Sequence, residues 1–223
     1  MKCIAHIHND FHSKFGIPRQ SGLVPGMLST IVFEQPYRNN EALRGIEEYS
    51  HLWLIWQFSE AVREEFRPTV RPPRLGGNRR MGVFATRSPF RPNAIGLSSV
   101  KLVRVEQTEE SGAVLVVEGA DLMDGTPIWD IKPYIAYTDS HPDAVGGFSD
   151  AVREYAVAVD FPEPLLYRID EDKRDALIAI LEQDPRPSYQ EDAERVYGMT
   201  YGAWEIRFRV KDGTLSVTEV KEV

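Results

Sequence analysis

Cysteine is almost absent: Cys3 stands alone among 223 residues. An internal disulfide is therefore excluded, and the usage fits a reducing cytoplasm. No apolar run approaches the roughly 20 residues that cross a bilayer, and the N-terminus lacks the basic-then-apolar pattern of an export signal. Neither a Gly-x-Gly-x-x-Gly turn nor a Walker loop occurs, so the common nucleotide-binding folds have no sequence support. Strands and helices do not alternate, which argues against a doubly wound parallel sheet. One further absence is local. Residues 66–105 contain no Asp or Glu, yet they hold nine of the chain's 26 Lys and Arg. The whole chain has a formal charge of −8. One sign has thus been gathered in one place, and such concentration points to an anionic partner.

The basic stripe is nearly all Arg, whose planar fork suits phosphate and carboxylate better than the point charge of Lys. Its Pro-Pro, Gly-Gly and Arg-Pro-Asn steps impose fixed bends on the backbone. A plain, solvated Arg-rich loop is the alternative reading of the same residues. Around the stripe, strand candidates crowd the first 135 residues: 2–7, 28–34, 51–58, 80–86, 97–106, 113–119 and 128–134. Each is short and β-branched or aromatic, with Gly, Pro or Asp between them. One helix is predicted over 41–49, capped by Asn39 or Asn40. Many short strands without alternating helices favour a mainly β fold, an antiparallel barrel or sandwich.

Residues 138–150 are polar and turn-rich and read as a boundary. Beyond them, Leu166, Ile169, Leu177, Ile180 and Leu181 fall at helical spacing over 164–183. Trp204, Ile206, Phe208 and Val210 then alternate with charged residues, and Asp212-Gly213 turns the chain into a hairpin. The expected organisation is a β-barrel domain over 1–140 followed by a small α+β C-terminal domain over 141–223.

Several segments resemble the TrmO family of TsaA-like, S-adenosylmethionine-dependent tRNA (adenine-N6)-methyltransferases. They are RPPRLGG from Arg71, MGVFATRSPFR from Met81 to Arg91, PNAIG from Pro92 to Gly96 and FGIPRQ from Phe15 to Gln20. GIEEYSHLW from Gly45, DGTP from Asp124, DIKPY from Asp130 and DPRPSY from Asp184 to Tyr189 follow the same pattern. The resemblance spans nearly the whole chain and implies a barrel, a homodimer with the cofactor near its interface, and methylation of a tRNA anticodon-loop adenosine. It assigns S-adenosylmethionine to segments matching Pro18, Arg19, Gln20, His51, Leu52, Arg87, Leu97, Asp124, Gly125, Thr126 and Pro127. Composition and periodicity say nothing about that cofactor. Given it, the site needs an Arg or backbone amides for a carboxylate, acceptors for a cation and an apolar slot for adenine.

Asp130 is the candidate proton acceptor and Asn93 the candidate for orienting the base. RNA contact is expected from Arg71, Arg74, Arg79, Arg80, Phe90 and Arg91, and from Arg186 and Tyr189 on a rigid Pro-Arg-Pro turn. The last motif is expected to serve the RNA and not the methyl donor, although a plain helix stop would look the same. Asp124-Gly125, taken alone, reads as an ordinary tight turn. Gln190, where the family often carries a basic residue, and His8-Asn-Asp10, where it carries Arg-Ser-Pro, depart from the pattern. His6, His8, Asp10 and His12 invite a metal, but no complete ligand set accompanies them, so no metal is assigned. Cys3 reads as a small buried strand residue, and Trp53 and Trp56 read as core. Two other classes stay open: a non-catalytic RNA-binding barrel, and a metal-dependent hydrolase using His6 and His8.

Overall fold

The computed structural model describes residues 1–61, 65–72, 79–153, 155–186 and 192–223. Its strands are β1 (Ala5–His8), β2 (Leu28–Phe33), β3 (His51–Gln57), β4 (Thr69–Val70), β5 (Met81–Gly82), β6 (Ile95–Thr108), β7 (Gly112–Glu118) and β8 (Pro127–Pro133). After a short helix α1 (Ala136–Asp139) come β9 (Ala158–Asp160), α2 (Glu163–Leu166), α3 (Glu171–Glu182), β10 (Tyr197–Tyr201), β11 (Trp204–Lys211) and β12 (Thr214–Glu222). Six strands close an antiparallel barrel in the order β1-β2-β7-β6-β3-β8, and four form a sheet in the order β10-β11-β12-β9. Among the described residues no helix is long and apolar enough to cross a membrane.

Alternation explains the barrel. In β3, Leu52, Leu54 and Trp56 point inward while His51, Trp53 and Ile55 face out. The inward set meets Ile7, Ile31, Leu115 and Ile128, all with no exposed surface. Each such side chain contributes about 1.5–3 kcal/mol of burial. Trp53 is accordingly not core: it stands on the outer face, and its Nε1–H donates to Asp139 Oδ2 at 2.9 Å. Cys3 precedes β1 and is only half-buried.

A second core lies under the four-stranded sheet, where Leu177, Ile180 and Leu181 of α3 meet Ile206, Phe208 and Leu215. Phe11, Val24 and Met27, from the long excursion between β1 and β2, are buried in this same core. Gly16, with φ +95°, leaves the space that the Met199 side chain fills. Lys173 Nζ reaches Asp10 Oδ1 at 2.5 Å, and the Gly202 amide donates to the Asp10 carbonyl. The excursion therefore joins the two cores.

Three predicted elements come out differently. The helix over 41–49 is two short 3-10 turns, Asn40–Leu43 and Ile46–Glu48, because Gly45 sits between them at φ 83° and breaks the run. Asn39 is its cap, accepting the Glu41 amide. The strand over 80–86 shrinks to β5, which pairs with β4 in a two-stranded ribbon before a 3-10 turn at Val83–Ala85. The helix over 164–183 divides into α2 and α3, with Asp170 at the start of the second in extended geometry. The predicted hairpin forms, with both turn residues left-handed at φ 49° and 78°.

Candidate functional site

One end of the barrel gathers the termini of β1 and β3 and the starts of β6 and β8. The turn from Asp124 to Pro127 is built there on backbone bonds. The Gly125 amide donates to the Ile7 carbonyl and the Asp124 amide to the Phe11 carbonyl, both at 2.8 Å. Gly125 has φ +73°, a conformation in which side chains are strained, which accounts for glycine at that step. Thr126 is buried and its hydroxyl donates to the Met123 carbonyl. Asn9 ties the excursion to this turn, its amide meeting Asp124 Oδ1 at 3.1 Å and its side chain the Leu122 carbonyl at 2.8 Å. His8 and His12 flank Asp124 at 3.3 and 3.6 Å.

Beside the turn stands a chain of polar contacts that the sequence reading passes over. Trp56 Nε1–H donates to Ser98 Oγ at 3.0 Å, and Ser98 Oγ–H donates to Asp121 Oδ1 at 2.5 Å. The Ser21 amide and the Arg87 charge also act on the Asp121 carboxylate. Burial pushes that carboxyl above the usual aspartate range, with the Ser98 hydroxyl and Arg87 pulling the other way. The exposed Arg87 guanidinium bonds Gln20 Oε1. Gly96 supplies the room: a Cβ there would land inside the Trp56 indole. Arg87 and Gln20 are thus brought together, with Asp121 at their side. The one sequence signal for Asp121 is its position three residues before the Asp124 turn.

The remaining matched residues are placed as follows. Pro18 is buried, and the Arg19 guanidinium donates to the carbonyls of Asp184 and Arg186 at 3.3 and 3.5 Å. The Pro-Arg-Pro motif therefore abuts a cofactor-matched segment, closer than its expected separation from the methyl-donor site. Asp184 is buried at φ 49° and accepts Tyr155 O–H at 2.8 Å and Arg186 Nε–H at 2.9 and 3.0 Å. Part of Arg186 is spent on holding its own turn. Arg74 and Tyr189 lie outside the described residues.

His51 and Leu52 stand at the far end of β3 from Gln57, about 20 Å away at the usual strand rise. Leu52 is fully buried in the barrel. On the outer face between those ends, Ile55 lies opposite both Leu97 and Asp130, so the three form one row across β6, β3 and β8. Leu97 is 56% exposed. Asp130 Oδ1 accepts the Ile131 amide, and Oδ2 lies 3.3 Å from Lys132 Nζ.

Arg71, Arg79 and Arg80 are exposed and have no acidic partner among the described residues, whereas Lys101 and Arg104 pair with Glu118 and Glu106. Arg91 Nη1 donates to the carbonyls of Thr86 and Ser88, which binds the loop to itself. Phe90 and Asn93 are exposed on that loop. Cys3, His6 and Glu34 form the one cluster of metal-ligand type among the described residues, with His6 Nδ1 2.7 Å from Glu34 Oε1. It lies beside the start of β1 and the end of β2, where His6 stands opposite Pro127 of β8.

The donor set fits S-adenosylmethionine. Arg87 can fork onto a carboxylate, Asp121 and nearby carbonyls can face a cation, and Leu97 with Ile55 offers an apolar surface. The tRNA-methyltransferase O N-terminal domain matches residues 6–140, and the TrmO C-terminal domain matches 154–223. The chain is 41% identical, over 96% of its own length and 94% of the relative's, to the tRNA (adenine(37)-N6)-methyltransferase of Escherichia coli strain K12. It is 42% identical, over 88% of its length and 86% of the relative's, to RcsF of Pseudomonas aeruginosa, a protein placed by name among S-adenosylmethionine-dependent methyltransferases. A crystal structure of TrmO from P. aeruginosa superposes with a TM-score of 0.78 at 33% identity, covering 99% of this chain and 95% of that one. With both domains matched and the fold shared end to end, the chain belongs to the tRNA-methyltransferase O family.

Proposed function

We propose that the protein methylates the exocyclic nitrogen of the adenosine at position 37 of tRNA, and that this adenosine already carries the threonylcarbamoyl group. The observation that carries the reading is the pairing of Gln20 with Arg87 beside Asp121, three residues before the Asp124–Pro127 turn, in a chain whose Arg71, Arg79 and Arg80 have no acidic partner among the described residues. Bound S-adenosylmethionine supplies an electrophilic methyl group. Arg87 and Gln20 hold the carboxylate of that cofactor, and the Asp124–Pro127 turn presents backbone groups to it. Asp121 acts through Arg87, setting the charge against which the guanidinium is aimed.

Asn93 orients the base and Asp130 receives the nitrogen's proton at a carboxylate oxygen. Asp130 suits the role because it shares an outer-face row with Leu97. Catalysis in this arrangement is mostly positioning and charge stabilisation. His51, a strand length away on the outward face, belongs to the site through a homodimer in which the outer faces of β3 and β6 meet, while Leu52, its side chain buried in the barrel, contributes backbone only. We divide the chain at residue 140, with the basic ribbon, Phe90, Arg91 and the Asp184–Tyr189 motif contacting the anticodon stem-loop, and place the reaction in the cytoplasm with its substrate.

Calorimetry with S-adenosylmethionine tests the reading. A saturable heat and a raised melting temperature are expected, because a ligand bound only by the folded state stabilises it. No binding, together with intact tRNA affinity, would favour a non-catalytic RNA-binding barrel.

A further inference from the structure

Two phenylalanines of the basic stripe are exposed and stacked on each other. Phe66 is 56% exposed and Phe84 73% exposed. Their ring centroids lie 6.3 Å apart with planes at 24°. They are 18 positions apart in sequence, and the β4–β5 ribbon brings them together. Thr69 pairs with Gly82 and Val70 with Met81, and the Val83 amide extends the ladder to the Pro68 carbonyl at 2.9 Å. Val83 is buried and anchors the turn, which throws its neighbour Phe84 outward. Arg67 and Arg71 flank β4 and Arg79 and Arg80 precede β5 on the same ribbon, all exposed and without an acidic partner among the described residues.

Single exposed apolar side chains are ordinary, but two stacked rings inside a cationic field are a defined surface. Water solvates the flat faces poorly, and the guanidinium groups call for anions on either side. A base with its flanking phosphates meets both demands. A second copy of this chain meets them less well, since a two-fold contact would set the Arg stripe against itself. We infer that Phe66 and Phe84 form a stacking platform for an unpaired nucleotide of the RNA, with Arg67, Arg71, Arg79 and Arg80 gripping the adjoining phosphates. The inference rests on the tRNA reading above and adds to it a base contact separate from Phe90.

The test is binding of an anticodon stem-loop RNA to the full chain, across a salt series, with wild type, Phe66→Ala, Phe84→Ala, Phe84→Leu and Phe84→Trp. Loss of one stacked base weakens binding roughly 5- to 150-fold. Because the contact is uncharged, the slope of log affinity against log salt should stay that of wild type, whereas Arg80→Ala should shallow it by about one. Leucine keeps apolar bulk without a π-face and should behave like alanine, while tryptophan should restore binding. Melting temperature and S-adenosylmethionine affinity should be unchanged throughout, since both rings are at the surface. Wild-type affinity in both alanine variants overturns the proposal, as does a leucine variant equal to wild type. Sedimentation showing that Phe84→Ala separates a dimer without changing RNA affinity per chain would assign the platform to a second copy instead. A wild-type chain that binds no RNA would refute the tRNA reading, and the platform with it.

Discussion

Replacing Arg186 with alanine should destabilise the protein by about 3 kcal/mol, the lower end of the cost of breaking a buried ion pair. The lower end applies because the Arg186 side chain is still 15% exposed, while that of Asp184 is 6% exposed. The guanidinium donates to both carboxylate oxygens, at 2.9 and 3.0 Å, and only Tyr155 O–H would remain as a side-chain partner. For a chain of this length such a loss lowers the melting temperature by roughly 6–12 °C. Burial opposes the charge on Arg186, and Asp184 and Tyr155 together outweigh it, so the guanidinium titrates above its ordinary range. Because Arg19 donates to two carbonyls of the same turn, S-adenosylmethionine affinity should fall as well. Scanning calorimetry of Arg186→Ala and Arg186→Lys checks this, with lysine recovering part of the loss but not the fixed Nε–H shared between both carboxylate oxygens. An alanine variant melting within 1 °C of wild type, taken as roughly the resolution of a small stability change, would show that the turn stands without the pair. Arg186 would then be free for RNA alone, as the sequence suggests.

Other outcomes are expected along the same lines. Arg87→Ala should lose most cofactor affinity with its melting temperature kept, because the guanidinium is exposed and spent on Gln20; calorimetry checks it. Single alanine variants of Arg71 and Arg79 should each shallow the salt dependence of tRNA binding by about one, read from filter binding across salt. Asp121→Asn should melt at or above wild type near neutral pH. Burial raises the folded carboxyl, so its ionised form costs stability above that raised value and the cost disappears as pH falls through it. The same variant should bind S-adenosylmethionine more weakly, and adding Arg87→Ala should cost it little more, which a double-mutant cycle would read. Gly96→Ala should cost roughly 1–3 kcal/mol by driving a methyl into the Trp56 indole, measured by denaturant unfolding.

A mainly β fold was legible because many short β-branched and aromatic strands follow one another without alternating helices, and the resemblance narrowed it to a barrel. β2, β6, β7 and β8 lie within two residues of their predicted bounds and β1 starts three residues late, while the unbroken apolar run of β3 hid its outer face and put Trp53 in the core. What resisted was set by contacts between distant residues. Phe11, Val24 and Met27 carry no periodicity of their own, and their burial in the second core depends on α3 and the far sheet. Gly45 divided a helix whose pattern otherwise read as continuous, by adopting a left-handed conformation. β9 and β10 went unseen; β9 is three residues long and joins its sheet in parallel, beside β12. Arg87 and Gln20 were singled out through motifs and lie hydrogen-bonded to each other, whereas Asp121 drew no attention because one aspartate before a turn looks like any loop residue. Phe66 and Phe84 were missed for a related reason, since only the ribbon makes neighbours of them.

The central claim is best tested by incubating the purified protein with S-adenosylmethionine and threonylcarbamoylated tRNA and reading the digested nucleosides by mass spectrometry. The account predicts one added methyl group on the exocyclic nitrogen of adenosine 37, absent when Arg87 is alanine and absent when the Asp130 carboxylate is removed. A methyl group on another nucleoside, or none while both ligands bind, would contradict it.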